Sequence, residues 1–260
     1  MCLFNFIHFV FNMTTFKKLN NIKNKTFLLL TYFFLCSCAS EPADALVAHT
    51  VVELEHDKIY YTGSFSKAAN QKFFHLYHHA RVKPTWLVIK SGGGEANLAM
   101  DLGDFIQQYE LKVRIDQVCF SSCAHYILTS GKTVYIKSDA FVGFHGSVNH
   151  LKTIHVPEHI LNTYNEAQKK TMQNNFNSYL EYTKKRERYF FNRRDIDIQL
   201  LDMGHRPQYQ KKYAEKNNIG WFYTEESFIK LGVKNLIFSE SFFQPKMKVD
   251  KKLFKIDLTQ

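Results

Sequence analysis

Short apolar runs alternate with amphipathic segments along most of the chain, and the two periods predict strands and helices in turn. Residues 86–89 are apolar throughout, which is typical of a strand buried on both faces of a parallel sheet. Leu98, Leu102 and Phe105 recur at helical spacing just after it. The pattern predicts further strands at 51–54, 58–61, 111–115, 133–136, 141–144 and 233–238, and helices at 66–80 and 122–128. This alternation predicts a parallel α/β core with right-handed crossovers.

The C-terminal half is more polar and more helical. Residues 157–194 predict a long helical segment, whose basic stretch at 184–188 is typical of a solvated helix face. Thr224 can cap a short helix that begins with Glu225 and Glu226, because acidic side chains in a first turn complement the helix dipole.

The N-terminus carries an export signal pattern. Four lysines lie between positions 17 and 25, and residues 26–35 form an apolar run. This run is too short for a membrane span, which needs about 20 residues, and it fits the hydrophobic region of a signal peptide. The following Leu-Cys-Ser-Cys resembles a bacterial lipobox, which implies that Cys38 is lipidated and becomes the mature N-terminus. The alternative is an ordinary signal peptide that is cleaved near Ala39 or Ser40.

These features predict a lipoprotein signal peptide over 1–38 (with Met13 as an alternative translation start), a linker over 39–48, a folded domain over 49–240 and a tail over 241–260. We expect a bacterial envelope protein that is lipid-anchored on the periplasmic face; the alternative location is the soluble periplasm.

Charge and cysteine content restrict the partners. The formal net charge is +10, and a mildly basic protein without a zinc-finger or RNA-binding motif does not indicate nucleic acid binding. The histidine clusters lack the spacing of a metal site, so we expect no metal and no cofactor. Cys119 and Cys123 remain outside the leader, and a disulfide between them is a candidate because exported proteins mature in oxidising compartments.

Three pieces of the predicted core can carry chemistry together. Ser91-Gly92-Gly93-Gly94 follows a buried strand, and glycines there let backbone N–H groups approach a ligand. Ser122 begins a buried helix, where the local dipole favours a nucleophile. His145 follows an apolar strand and can accept a hydroxyl proton at neutral pH. His125, one helical turn after Ser122, is a second and less favoured base.

Residues 86–146 resemble the proteolytic subunit of Clp protease, within the Clp/crotonase superfamily and especially its exported branch. The segment 90–94 is similar to the family loop N-S-P-G-G, the segment 122–131 to S-M-G-A-F-L-L-T-A-G, and Phe144-His145 to I-H. The resemblance implies a repeated β-β-α spiral core with a long helical C-terminal extension. It also implies a role for each of several residues: Ser122 as nucleophile, His145 as general base, and the N–H groups of Gly93 and Cys123 as the oxyanion hole.

The third triad member of the family does not have an obvious counterpart. Counting back from Leu231 lands on Lys216, so the adjacent Glu215 and, alternatively, Asp202 are the candidate acids.

The leading hypothesis is an exported serine hydrolase, and within that class a peptidase that acts through an acyl-enzyme. Its partners would be a peptide or protein substrate, the membrane through the lipid anchor, and further copies of itself through residues 162–191. The alternative hypothesis is a non-catalytic envelope protein with a binding or assembly role. A weaker third hypothesis is acyl-thioester chemistry, which would need coenzyme A outside the cytoplasm.

Overall fold

The computed structural model describes residues 50–151, 161–215, 218–239 and 252–259. The predicted signal peptide, Cys38, the linker, Lys216 and residues 241–251 and 260 of the predicted tail lie outside the described residues. Within them, no helix combines the length and the apolar character that crossing a membrane requires.

A mostly parallel sheet forms the core. Its strands are β1 Val51–Glu55, β2 Lys58–Thr62, β3 Trp86–Ser91, β4 Lys112–Phe120, β5 Val134–Ile136, β6 Phe141–Gly143 and β8 Leu236–Phe238. The strand order is β1-β2-β3-β4-β5-β8, in which only the β1–β2 pair is antiparallel, and β6 also pairs with β4. The predicted parallel α/β core is therefore confirmed.

Most of the helices lie where the sequence pattern predicts them. They are α1 Lys67–His79, α2 Ala96–Gln108, α3 Glu166–Asn192, α4 Gln210–Tyr213 and α5 Glu225–Lys230. Ser66 caps α1 by accepting a hydrogen bond from the N–H of Ala69, and Thr224 caps α5 by accepting one from the N–H of Ser227, as predicted for Thr224. The helix predicted at 122–128 is a short π-helix, Cys123–Ile127.

The long helix α3 is polar overall but buries one stripe. Phe176, Leu180, Thr183, Glu187 and Phe190 are buried at alternating spacings of three and four residues, which is the repeat of a single helix face. On its outer side, Arg186 forms ion pairs with Asp101 and Asp104 of α2. The C-terminal part of the protein is thus largely helical.

A second, two-stranded sheet was not predicted. Strand β7, Asn218–Tyr223, pairs in parallel with β9, Lys252–Ile256. Phe254 and Ile256 of β9 are buried in the same hydrophobic core as the main sheet. The folded domain therefore continues beyond residue 240, where the sequence analysis ended it, because the pairing of β9 with β7 is a non-local contact that the local pattern does not reveal.

Candidate functional site

A sharp turn at the end of β4 carries two adjacent serines. Cys119 and Cys123 are joined by a disulfide that spans this turn, with a Cα–Cα distance of 5.1 Å. Ser121 lies at its centre with φ = 59°, in the left-handed region that non-glycine residues seldom adopt. Its N–H donates to the carbonyl of Gly143, and its carbonyl accepts from the N–H of His125.

The second segment of the site follows β6. Because β6 pairs with the C-terminal half of β4, with Phe120 opposite Gly143, the residues just beyond both strands are neighbours. The backbone of Phe144 exchanges two hydrogen bonds with Trp221 of β7, which fixes the chain as it leaves β6. His145 comes next, and its Nε2 lies 2.6 Å from the Oγ of Ser121.

The hydroxyl beside the imidazole thus belongs to Ser121, where the sequence analysis placed Ser122. The Oγ of Ser122 instead donates to the carbonyl of Gly94 at 2.9 Å. The difference arises from the backbone: the left-handed φ of Ser121 turns its side chain toward β6, and the helix begins only at Cys123. The structure brings together a serine and His145, one position earlier than expected.

The glycine loop lies directly against Ser121. A Cβ on Gly93 would lie 2.7 Å from the Cβ of Ser121 and 2.9 Å from the carbonyl oxygen of Phe120. Gly93 also has φ = +103°, so both its conformation and its lack of a side chain are required here. Its N–H, a predicted oxyanion donor, donates to the Oγ of Ser91 at 3.1 Å.

The second predicted oxyanion donor, Cys123, follows Ser122, so a different N–H takes its place when Ser121 is the serine beside the imidazole. The residue after Ser121 is Ser122, whose N–H lies at the start of a helix, where the first N–H groups have no acceptor within the helix. The N–H of Cys123, which was predicted for this role, is one position further into the helix.

Burial governs the protonation of His145. It lowers the pKa of His145 below the ordinary value of 6.5; a hydrogen bond to its own backbone opposes the shift, and the nearby His150 and His205 reinforce it. The ring of Phe120 packs against the imidazole at 5.2 Å between centroids. A neutral imidazole is the form that accepts a proton.

Neither candidate acid contacts the imidazole. Asp202 accepts hydrogen bonds from the N–H of Ser147 and from Nδ1 of His150, which hold its pKa below the usual value against the effect of burial. Glu215 is exposed, and its carboxylate faces Asn218 at 3.5 Å. Among the described residues, no carboxylate is hydrogen bonded to the ring of His145.

His125, the second candidate base, is a core residue. It is buried and stacks on Phe144 at 5.6 Å between ring centroids. Burial lowers the pKa of His125 to about 3, and its Nε2 has no hydrogen-bond partner among the described residues. The ring is therefore neutral, and it is not hydrogen bonded to either serine within the described residues.

Two side chains that the sequence analysis missed hold the backbone of His145. Its carbonyl lies 3.0 Å from Nε2 of His205 and accepts a longer hydrogen bond, of 3.5 Å, from the hydroxyl of Tyr213. Both residues lie about 60 positions away in a polar segment without a recognisable motif, so the sequence carries no signal for this contact. No cluster of metal-ligating side chains occurs among the described residues.

No protein-family model and no curated protein sequence matches the chain. Among solved structures, the chain is similar to one described as an enoyl-CoA hydratase/isomerase from Novosphingobium aromaticivorans DSM 12444, with a TM-score of 0.31 and 11% identity. The match covers 38% of this chain and 48% of that chain, so the chain spans about half the length of the matched protein. A score at this level carries no argument about function.

Proposed function

We propose that the protein is a serine hydrolase in which Ser121 is the nucleophile and His145 the general base. The observation that carries the proposal is the 2.6 Å distance between Ser121 Oγ and His145 Nε2, in a turn closed by a disulfide and lined by Gly93. A nucleophile within hydrogen-bond reach of a neutral imidazole is the minimal arrangement for acyl transfer.

The proposed reaction proceeds through an acyl-enzyme. Ser121 Oγ attacks the substrate carbonyl while its proton passes to Nε2 of His145, so the proton of the neutral ring must lie on Nδ1. The N–H of Ser122 stabilises the oxyanion, and the N–H of Gly93 joins it by exchanging its bond to Ser91. The imidazolium then protonates the leaving group, and water releases the acyl group by the same steps.

The substrate class and the family assignment rest on the motifs. We propose a peptidase with a Clp/crotonase-like spiral core, supported by the order of the glycine loop, the serine turn and the histidine, and by the consecutive order of parallel strands β2 to β5. The helix α3 is the proposed surface for self-association.

The proposed location is the periplasmic face of the envelope, because the leader has the pattern of a lipoprotein signal. Cells fed a radiolabelled or clickable fatty acid should lipidate the protein, and Cys38→Ala should abolish the signal. Equal labelling of the wild type and the variant would contradict the lipid anchor.

Labelling with a fluorophosphonate probe tests the catalytic proposal, and the two adjacent serines provide a matched pair. The wild-type protein should be labelled at neutral pH, and Ser121→Ala should abolish labelling. Ser122→Ala should retain labelling within about tenfold, because its hydroxyl contacts the glycine loop and not the imidazole. His145→Gln should reduce labelling by at least about 100-fold, since it removes the general base.

The opposite pattern has a clear meaning. If Ser122→Ala abolishes labelling and Ser121→Ala does not, the nucleophile is misassigned. If the folded wild type is not labelled by any serine probe, the non-catalytic role is favoured, an alternative that the absence of a described carboxylate beside His145 already supports.

A further inference from the structure

We infer that Glu187 of α3 is a positioning residue that ties together the two segments carrying Ser121 and His145. This inference rests on the proposed function, because it assigns a role in holding the pair that the proposed function uses. Glu187 does not contact either residue of the pair, and nothing in the sequence pattern of the polar helix α3 points to it.

The carboxylate of Glu187 accepts hydrogen bonds from both segments. Its Oε1 accepts from the hydroxyl of Tyr126 at 2.6 Å, and Tyr126 belongs to the π-helix that begins two residues after Ser121. Its Oε2 accepts from the hydroxyl of Ser147 at 2.9 Å and from the amide of Asn149. Ser147 follows His145 by two positions, so one side chain joins both halves of the pair.

The burial of Glu187 makes a purely stabilising role a poor explanation. Its exposed fraction is 0%, and no cation within the described part of the chain forms an ion pair with it. A buried carboxylate without a cation is costly relative to an apolar side chain. Three directed hydrogen bonds, by contrast, specify the relative placement of the groups that donate them.

The charged and titratable groups around Glu187 are few. Tyr126 faces it from the π-helix, and Asp202 approaches it through Ser147, which also donates to the carboxylate of Asp202 at 3.4 Å. His150 pairs with Asp202, and Arg188 donates to the side-chain oxygen of Asn149. Burial and the charge of Asp202 raise the pKa of Glu187 to about 7, although the accepted hydrogen bonds oppose this shift.

The loop after His145 is also held by Asp202, which accepts hydrogen bonds from the N–H of Ser147 and from Nδ1 of His150. Gly146 has φ = +101°, and residues 147–150 form a short turn in which Ser147 caps the N–H of Asn149. The contacts of Ser147 and Asn149 with Glu187, together with the hydrogen bond from Arg188 to Asn149, link this loop to the long helix. A shift of about 1 Å in such a loop can reduce a rate by about 100-fold.

The test compares the rate of fluorophosphonate labelling per folded molecule among variants of the full chain, with the folded fraction measured by circular dichroism. Glu187→Ala should lower the rate at least about tenfold, and Ser147→Ala and Tyr126→Phe several-fold each. Glu187→Gln should retain a rate within about threefold of the wild type, since its oxygen can accept from Ser147 and Asn149 while its NH₂ donates to Tyr126.

Thr183→Val is the matched control. Thr183 is buried one turn earlier on α3, and it bonds Asn97 and the carbonyl of Tyr179 but neither segment of the pair. This variant should lower the melting temperature without changing the labelling rate per folded molecule, which separates structural loss from mispositioning.

Wild-type labelling rates for folded Glu187→Ala and Ser147→Ala would overturn the inference and leave the proposed function standing. If Glu187→Ala does not fold, Ser147→Ala and Tyr126→Phe decide, because each removes one hydrogen bond to Glu187. If the folded wild type is not labelled at all, the proposed function fails, and the inference fails with it.

Discussion

The backbone of Ser121 is held in a conformation that most residues avoid. Its φ of 59° is left-handed, which costs a non-glycine residue about 1–2 kcal/mol. Hydrogen bonds at its N–H and its carbonyl and the disulfide around it hold this conformation. Strained residues of this kind cluster at functional sites because the surrounding structure fixes a reactive side chain in one direction.

The close approach of Gly93 to Ser121 predicts that a side chain at position 93 is not tolerated. Gly93→Ala should abolish most labelling of Ser121 and lower the free energy of unfolding by about 2–4 kcal/mol. The new Cβ would overlap Ser121, and an alanine would have to keep the positive φ of Gly93. Labelling rates and thermal melts of the variant would measure both effects.

Gly92→Ala is the control for this prediction. A Cβ on Gly92 meets no heavy atom within 4 Å, so this variant should keep the labelling rate and the stability of the wild type. If Gly92→Ala lost as much labelling and stability as Gly93→Ala, the loop would be intolerant of any side chain, and the effect would not come from the contact with Ser121.

For His125 we expect the opposite result, that the protein tolerates a large change of side chain. Its Nε2 is buried without a hydrogen-bond partner in the part of the chain that the structure describes, so His125→Phe should keep the labelling rate and leave stability at pH 7 unchanged or raised. The pKa of His125 is lowered from 6.5 to about 3 in the folded state, whereas the unfolded chain takes up the proton near 6.5. The wild type should therefore lose stability as pH falls from about 6.5 to about 3, at up to ~1.4 kcal/mol per pH unit from this residue.

Urea unfolding of the wild type and His125→Phe between pH 7 and pH 4 measures this loss, which should be smaller in the variant. Parallel stability curves would show that His125 is not a buried neutral base. A loss of labelling as large as that of His145→Gln would restore His125 as a candidate base.

The choice between adjacent serines shows where residue-level inference from sequence ends. The motif predicted a serine at this turn and His145 opposite it, and the structure brings a serine and His145 together. Which serine faces the imidazole depends on the φ of one residue and on the position at which the helix begins. Both are set by the pairing of β4 with β6, which the sequence does not display.

At the scale of elements, β4 organises the site. Its first half pairs with β3 and β5, and its second half pairs with β6 and, through Cys119 opposite Ser91, again with β3. The sequence analysis ended this strand at Ile115, because Asp116 and Gln117 interrupt the apolar run. The strand continues to Phe120 because β6 is a new pairing partner for it. This extension places the serine turn beside His145.

The disulfide at the end of β4 should support the turn. Replacing Cys119 and Cys123 together by Ala removes a cross-link around a five-residue loop, for which the chain-entropy model gives about 2 kcal/mol of stability. We expect a lower melting temperature and labelling of Ser121 that is reduced about tenfold, because the turn gains freedom.

Dithiothreitol provides the comparison for this variant. It should slow labelling of the wild type to a similar extent and leave the Ala variant unchanged. Labelling of the reduced wild type at the oxidised rate would show that the hydrogen bonds of Ser121 hold the turn without the cross-link.

At the scale of the molecule, the local sequence pattern predicts the parallel core. It does not predict how the C-terminal part packs against that core. Strands β1 to β6 and helices α1, α2 and α5 follow hydrophobic periods that can be read from the sequence. Strand β7 has no alternation, and β9 lies in a lysine-rich tail, yet the two pair with each other and bury Trp221 and Phe254. Their stability comes from contacts between distant residues, which no local window contains.

The same limit applies to the candidate site as a whole. The glycine loop, the serine turn and His145 lie on elements of the parallel core, and the sequence predicted that they converge. The groups that support them, His205, Tyr213 and Glu187, come from the C-terminal part. No spacing within the sequence links these residues to the turn, so their roles emerge only from the assembled structure.

Mapping the fluorophosphonate adduct tests the central claim most directly. After labelling, reduction and trypsin digestion, residues 115–132 form one peptide that contains both serines. Fragmentation of this peptide in a mass spectrometer should place the phosphonate on Ser121 alone. An adduct on Ser122, or an unmodified peptide from folded protein after prolonged labelling, would contradict the account.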